Sequence, residues 1–325
     1  MSLISEQSSV LQRDPTDALS KINFIRDHLR ASIFGKEHQI DLIVACLLSS
    51  GHLLLDDLPG TGKTTLAKAI AGAISGRLSR VQCTPDLMPA EITGFSVFNQ
   101  KTREFDFRPG PVFADILLAD ELNRTTPRTQ SALLEAMAER QVTIDGIGHK
   151  LSSSFVVIAT QNPIDSHGAY PLPEAQLDRF SVKLQLGYPD RDSKRRILQR
   201  ETSQAESPNE LQIRESAVSL QEFRELQKLV KSVHVHDRVI DYFLDLVEAI
   251  QNDDCIELAV SPRGMMHWQA VAQGWALING RAFVTPTDVA EVAHPVLSVR
   301  LLTRGETVAQ VIERVMKSVP TPEYK

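Results

Sequence analysis

The chain has 325 residues, 42% of them hydrophobic and 23% charged, a composition that excludes a disordered or fibrous protein and fits one large or two ordinary globular domains. A formal net charge of −6 excludes a whole-surface attraction to nucleic acid or to an anionic membrane. The scattered cysteines Cys46, Cys83 and Cys255 have neither metal-ligand spacing nor a disulfide framework, and read as reduced core thiols of a cytosolic protein.

The opening residues, Met1-Ser2-Leu3-Ile4-Ser5-Glu6-Gln7, lack the basic stretch and apolar run of a secretory signal. No stretch approaches the roughly 18 consecutive apolar residues of a membrane span, so direct membrane insertion is not expected. Residues 1–17 read as a flexible leader. From Ala18 to Ile33 the apolar positions Leu19, Ile22, Phe24, Ile25 and Leu29 recur at helical spacing, and Gly35 is a natural stop. A second helix, Gln39 to Ser50, ends at Gly51. The apolar run Leu53-Leu54-Leu55 then leads through Asp56-Asp57-Leu58 into Pro59-Gly60-Thr61-Gly62-Lys63-Thr64-Thr65. Strand, glycine loop and helix in that order form the setting of a phosphate-binding loop. Its backbone N–H groups and the helix N-terminus attract an anion, Lys63 reaches the β- and γ-phosphates, and the Thr64 hydroxyl ligates Mg²⁺. The strict pattern carries Gly where this chain has Asp57. A chance turn is the plain alternative, so the decision rests on whether partner residues occur downstream.

Arg77 to Cys83 reads as a short strand. Phe95–Asn99 and Glu104–Arg108 then alternate around a polar turn, predicting a hairpin within 86–112 that either packs on the domain or projects to touch a partner. Ile116-Leu117-Leu118-Ala119 is a continuous apolar run, as in a buried parallel strand, and ends in Asp120-Glu121 where ligands sit in open α/β sheets. Asp120 is placed for the Mg²⁺ shell and Glu121 to activate the attacking water. A helix from Asn123 to Arg140 comes next, then a second hairpin at 141–152 around Asp145-Gly146. Phe155 to Thr160 is another buried strand, and Asn162 at its tip can hold the water or touch the γ-phosphate, although Asn162-Pro163 by itself reads as a turn.

The last strand, Ser181 to Leu186, ends at the boundary Gly187-Tyr188-Pro189-Asp190. Beyond it the pattern is almost wholly helical, through Leu220–Val233, Asp237–Gln251, Arg263–Asn279 and Thr287–Leu301, with a flexible link at Ser203–Pro208. Met265, Trp268, Ala272 and Trp275 read as core, and His234 and His236, two apart, would not converge on a metal. The basic cluster Arg191, Lys194, Arg195, Arg196 and Arg200 reads as a solvated face, with nucleic-acid contact the lesser reading.

Taken together, Leu-Pro-Gly-Thr-Gly-Lys-Thr (58–64), Leu-Leu-Ala-Asp-Glu-Leu-Asn-Arg (117–124), Thr-Gln-Ser-Ala-Leu-Leu-Glu-Ala-Met (129–137), Ala-Thr-Gln-Asn-Pro (159–163), Leu-Pro-Glu-Ala-Gln-Leu-Asp-Arg-Phe (172–180) and Ser-Pro-Arg-Gly (261–264) resemble the MoxR family of AAA+ ATPases. The resemblance covers nearly all of the chain after residue 20. It implies an α/β fold: a P-loop αβα sandwich with a parallel central sheet at 18–187, followed by an all-α lid at 188–325. It implies that Pro59, Gly60, Thr61, Gly62, Lys63, Thr64 and Thr65 bind ATP as the Walker A loop, and that Asp120-Glu121 is Walker B, with Thr64 and Asp120 at the metal. Asn162 matches sensor 1, Arg263 matches sensor 2, and Arg179 resembles the arginine finger that serves the neighbouring subunit. Ile33 to Gly35 fall where family members contact adenine, and relatives tolerate an acid at the Asp57 position.

The expected activity is Mg²⁺-dependent hydrolysis of ATP to ADP and phosphate by a ring, usually a hexamer. Its expected role is chaperone-like remodelling or maturation of partner proteins, often ones with a von Willebrand factor A domain. Two other readings stay open: an ATP-gated scaffold that does not hydrolyse, and a DNA-linked motor using Lys101, Arg103 and Arg108, which the acidic net charge disfavours.

Overall fold

The uninterrupted apolar runs lie side by side at the centre of one parallel sheet, because both of its faces are covered. The computed structural model describes residues 15–162, 170–202 and 217–322. In chain order its elements begin with α1 (Pro15–Ser32), α2 (Glu37–Leu48), β1 (Leu53–Asp56), α3 (Lys63–Ala73), β2 (Leu78–Gln82), α4 (Pro89–Thr93), β3 (Gly94–Asn99), β4 (Glu104–Pro109) and β5 (Ile116–Asp120). They continue with α5 (Pro127–Glu139), β6 (Gln141–Ile144), β7 (Ile147–Lys150), β8 (Val156–Gln161), α6 (Glu174–Leu177), β9 (Val182–Leu184) and α7 (Arg191–Thr202). The last part holds α8 (Leu220–Ser232), α9 (Asp237–Gln251), β10 (Ile256–Leu258), α10 (Pro262–Ile278), α11 (Pro286–Glu291), α12 (Ala293–Leu297), β11 (Leu302–Thr303) and α13 (Val308–Ser318).

The central sheet has five strands in the order β2-β5-β8-β1-β9, all parallel, with Leu53 opposite Ile158 and Leu118 opposite Ile158 on the other side. Successive side chains of a strand point to opposite faces. Accordingly Leu53, Leu55, Ile116, Leu118, Val156 and Ile158 join one buried cluster, shared with α1, α2, α3 and the later helices. Leu54, Leu117, Ala119, Val157 and Ala159 join a second cluster with Leu133, Met137, Phe155 and Phe180. Parallel order brings the carboxyl ends of β1, β5 and β8 to one edge, where the glycine loop, Asp120-Glu121 and Asn162 emerge.

Several boundaries differ from the sequence expectation for physical reasons. α1 begins at Pro15, inside the span expected as leader, and the fixed φ of that residue suits a helix start; residues 1–14 lie outside the described residues. In place of one helix over Asn123–Arg140 there is a 3₁₀ turn at Leu122–Arg124 and then α5, which Pro127 opens and the Thr126 hydroxyl caps. In place of one helix over Thr287–Leu301 there are two, because Pro295 lacks an N–H and clashes with the carbonyl a turn earlier. The helical half also holds the antiparallel pair β10–β11. The predicted link at Ser203–Pro208 lies outside the described residues. Among the described residues, no helix is long and apolar enough to cross a membrane.

Both predicted hairpins form, as β3–β4 and β6–β7. They pack on each other through Phe107, whose ring stacks on His149 at a centroid distance of 3.9 Å. The far end of the first hairpin stays in solvent, with Phe98 and Phe105 in mutual contact and 51% and 71% exposed. The hairpin therefore packs at its base and projects into solvent at its tip.

Candidate nucleotide site

The loop after β1 curls back on itself because Gly60 and Gly62 take φ of +82° and +92°, a region other residues reach only under strain. Gly62 is the N-cap of α3 and no side chain caps that helix, so its first N–H groups face the cleft. The Lys63 ammonium donates to the carbonyls of Asp57 at 2.8 Å and Leu58 at 3.3 Å. Pro59, Gly60, Gly62, Lys63, Thr64 and Thr65 form one wall of a cleft of about 390 Å³; Arg80, Gln82, Asp120, Glu121 and Thr160 form the facing wall. Mg²⁺ is usually held by one or two carboxylates, phosphate oxygens and water. A wall offering Asp120 opposite the Thr64 hydroxyl fits that ion, and the described residues contain no cluster of three or more potential ligands among His, Cys, Asp and Glu.

Both acids are held by neighbours, of which Thr160 and Arg124 lie inside the quoted motifs and Arg80 and Gln82 outside them. Arg80 Nε donates to Asp120 Oδ2 at 2.8 Å, and the Thr160 hydroxyl donates to Asp120 Oδ1 at 3.2 Å. That same hydroxyl accepts the Glu121 N–H at 2.8 Å, which fixes Glu121 in the left-handed region at φ +56°. Gln82 Nε2 donates to Glu121 Oε2 at 3.2 Å, and Arg124 donates to the same oxygen at 3.3 Å. Arg80 and Gln82, two apart, share one face of the edge strand β2. That spacing is the signal the sequence offers for them. For Thr160 the signal is a hydroxyl ending an apolar run.

Asp57, the departure from the strict glycine pattern, does not line the cleft. Its carboxylate is 4% exposed and accepts the N–H groups of Leu186 at 2.6 Å and Gly187 at 2.8 Å. A glycine could not make this tie, which fastens the loop to the chain leaving β9. Asp57→Ala strands one buried and one half-buried donor and is expected to lower unfolding free energy by about 2–3 kcal/mol. Asp57→Asn, retaining one acceptor, should lose less. Urea midpoints test this, and an unchanged Asp57→Ala midpoint would refute the tie.

The remaining predicted site residues are dispersed. Ile33 is buried and packs beside the loop, its Cδ1 lying 3.5 Å from where a Cβ on Gly62 would stand. Gly35 adjoins Phe34, over whose ring the Arg196 guanidinium lies at 4.2 Å. The basic cluster of α7 is thus not only a solvated face. Asn162 is buried at the end of β8. Arg263, matched to sensor 2, is exposed and does not line the cleft; α10, whose first turn carries it, is anchored at Asp178 by Ser261. Arg179 lines a separate cleft of about 560 Å³ with Ser131, Glu135, Glu139 and Gln176. Its Nη1 donates to the Ala175 carbonyl at 3.1 Å.

Where the helical half meets β9, Ser181 Oγ lies 2.8 Å from His267 Nδ1. Burial, reinforced by the Arg300 charge, lowers the His267 pKa to about 4. Burial likewise lowers His52 to about 3, and its Nδ1 accepts the Val157 N–H at 3.0 Å. Both rings stay neutral in the fold, whereas in the unfolded chain they protonate below about 6.5. Their stabilising effect is complete above that pH and is lost as pH falls from about 6.5 towards 4, at up to roughly 1.4 kcal/mol per pH unit for each ring. Urea midpoints should fall across this window and His267→Gln should flatten the profile; an equally steep variant would exclude His267 as a cause.

Comparison with known proteins agrees with this geometry. The family model described as "ATPase family associated with various cellular activities (AAA)" matches residues 52–182, and an AAA lid domain model matches 248–315. The chain is 40% identical over 302 residues to the uncharacterised protein YeaC of Bacillus subtilis, covering 91% of this chain and 93% of that one. It is 38% identical over 306 residues to Chaperone MoxR1 of Mycobacterium tuberculosis, covering 90% and 80% respectively. A crystal structure from Cytophaga hutchinsonii, provisionally assigned as an ATPase, superposes with a TM-score of 0.86 at 31% identity over 99% of this chain and all of that one. An identity of this extent, over a parallel sheet with its glycine loop and a helical lid, makes the chain a member of the MoxR family of AAA+ ATPases.

Proposed function

We propose that the protein hydrolyses ATP to ADP and phosphate, with Mg²⁺, in a closed ring of like subunits, and uses the cycle to remodel or mature partner proteins in the cytoplasm. The observation that carries this reading is the convergence of Lys63, Thr64, Asp120, Glu121 and Thr160 on one cleft. The N–H groups of the loop and of the first turn of α3 bind the phosphates, with Lys63 as the fixed cation. Asp120 and Thr64 would hold Mg²⁺, which when bound neutralises charge on the β- and γ-oxygens.

Glu121, oriented by Gln82 and Arg124, takes a proton from the attacking water. The water oxygen bonds to the γ-phosphorus as the bond to the β–γ bridging oxygen breaks, releasing ADP and phosphate. Asn162, at the tip of β8, orients that water, and Ile33 and Gly35 border the base. Arg263 acts in this reading only after α10 approaches the cleft, and Arg179 serves the next subunit. The division into a nucleotide-binding part through residue 187 and a helical lid from 188 is part of the same proposal. A client protein, with a von Willebrand factor A domain as one candidate, fits the exposed Phe98–Phe105 end of the hairpin better than nucleic acid does.

Phosphate release by the purified protein with ATP and Mg²⁺ tests the reading and separates it from a scaffold that only binds. Lys63→Ala is expected to weaken labelled-ATP binding at least tenfold, or roughly 1.4 kcal/mol. Unchanged affinity would overturn the assignment of the loop.

A further inference from the structure

The segment from Asp178 to Ser181, which contains Arg179, is held by side chains of the helical half. Arg300 is 4% exposed. Its Nε donates to Asp178 Oδ1 at 3.0 Å, its Nη2 to the Phe180 carbonyl at 2.6 Å and its Nη1 to the Ser181 carbonyl at 3.4 Å, while Nη1 also bonds the Val296 carbonyl of α12. The other Asp178 oxygen accepts the Ser261 hydroxyl at 2.7 Å. Gly264 makes room for this arrangement, since a Cβ there would stand 2.7 Å from Arg300 Cδ.

A buried guanidinium deprived of its partners is expensive, so Arg300 and the segment it grips move together. Ser261 also caps α10 by accepting the Gly264 N–H at 2.9 Å, and Arg263 projects from that same first turn. One turn of helix therefore carries Arg263 and, through Ser261, holds the residue next to Arg179.

We propose that Asp178 is a positioning residue for Arg179: the helical half, through Ser261 and Arg300, sets how far Arg179 reaches into the neighbouring copy's site. The state of one nucleotide is thereby passed to the next subunit. This rests on the reading of Arg179 as a donor to a neighbouring site.

Mixed assemblies test it. An acceptor carrying Arg179→Ala has an intact cleft, and a donor carrying Glu121→Gln cannot hydrolyse but still offers Arg179. Mixing the two should restore phosphate release that neither shows alone. Adding Ser261→Asp to the donor keeps a good helix cap and sets a second negative charge against Asp178. That donor should restore release less well than its parent by on the order of 10²-fold, the scale of about a 1 Å misplacement of a reacting group. Ser261→Thr in the donor should restore it fully.

Asp178→Asn is the second donor, expected to fall in the same direction, and stands in if Ser261→Asp lowers the melting temperature of the donor. Donors as effective with these changes as without them would overturn the positioning role and leave the finger intact. Failure of the parent donor to restore release would overturn the finger assignment, and the proposal with it.

Discussion

Arg179→Ala is expected to slow phosphate release by the assembled protein by roughly 10³–10⁵-fold, the range set by removing an arginine finger from other phosphoryl-transfer systems. The geometry argues against an effect through its own subunit's cleft. Arg179 lines a different cleft, with Ser131, Glu135 and Gln176, and its buried Nε has no hydrogen-bond partner among the described residues. In the proposed head-to-tail ring such a surface would face the neighbour's nucleotide. Nucleotide affinity should change little, because the loop and Lys63 are untouched. Arg179→Lys should rescue poorly, since a compact ammonium cannot reproduce the planar fork. Turnover measured at saturating ATP, under conditions where the assembly persists, decides the matter; a wild-type rate from the alanine variant would exclude the role.

Glu121→Gln should bind ATP and fail to hydrolyse it, losing about 10²–10⁴ in rate, the usual contribution of a general base. The substitution keeps the side chain's shape, and its amide oxygen can still accept from Gln82 or Arg124. What disappears is the capacity to take the proton. Because the backbone of Glu121 is held by Thr160 rather than by its own carboxylate, the fold should survive and the melting temperature should stay near that of the parent. Labelled-ATP binding together with phosphate release separates the two effects. Normal release would remove Glu121 from the chemistry.

How much of this can be read from the letters varies with how local the cause is. The strands β1, β5 and β8 are legible because a strand covered on both faces must be apolar at every position, and the hairpins because alternation survives in short runs. The glycine loop and Asp120-Glu121 are legible because each sits directly after such a strand. Arg80 and Gln82 are less so, since their two-residue spacing gains meaning only from the pairing of β2 with β5, which sets them against acids 40 and 39 residues away in sequence. Arg300 is the hardest: one arginine in the run Val296-Leu297-Ser298-Val299-Arg300-Leu301 has meaning only once Asp178 is beside it. The displaced helix ends have local causes, Pro127 and Pro295, each of which outweighs an otherwise helical pattern.

The glycine of Ser-Pro-Arg-Gly changes how substitution scans of this motif should be interpreted. A side chain at position 264 would displace Arg300 before it altered anything at Arg263. A defect produced there would look like impaired sensing of a bound nucleotide while arising from steric eviction of Arg300. Position 264 thus records a constraint of volume set by Arg300.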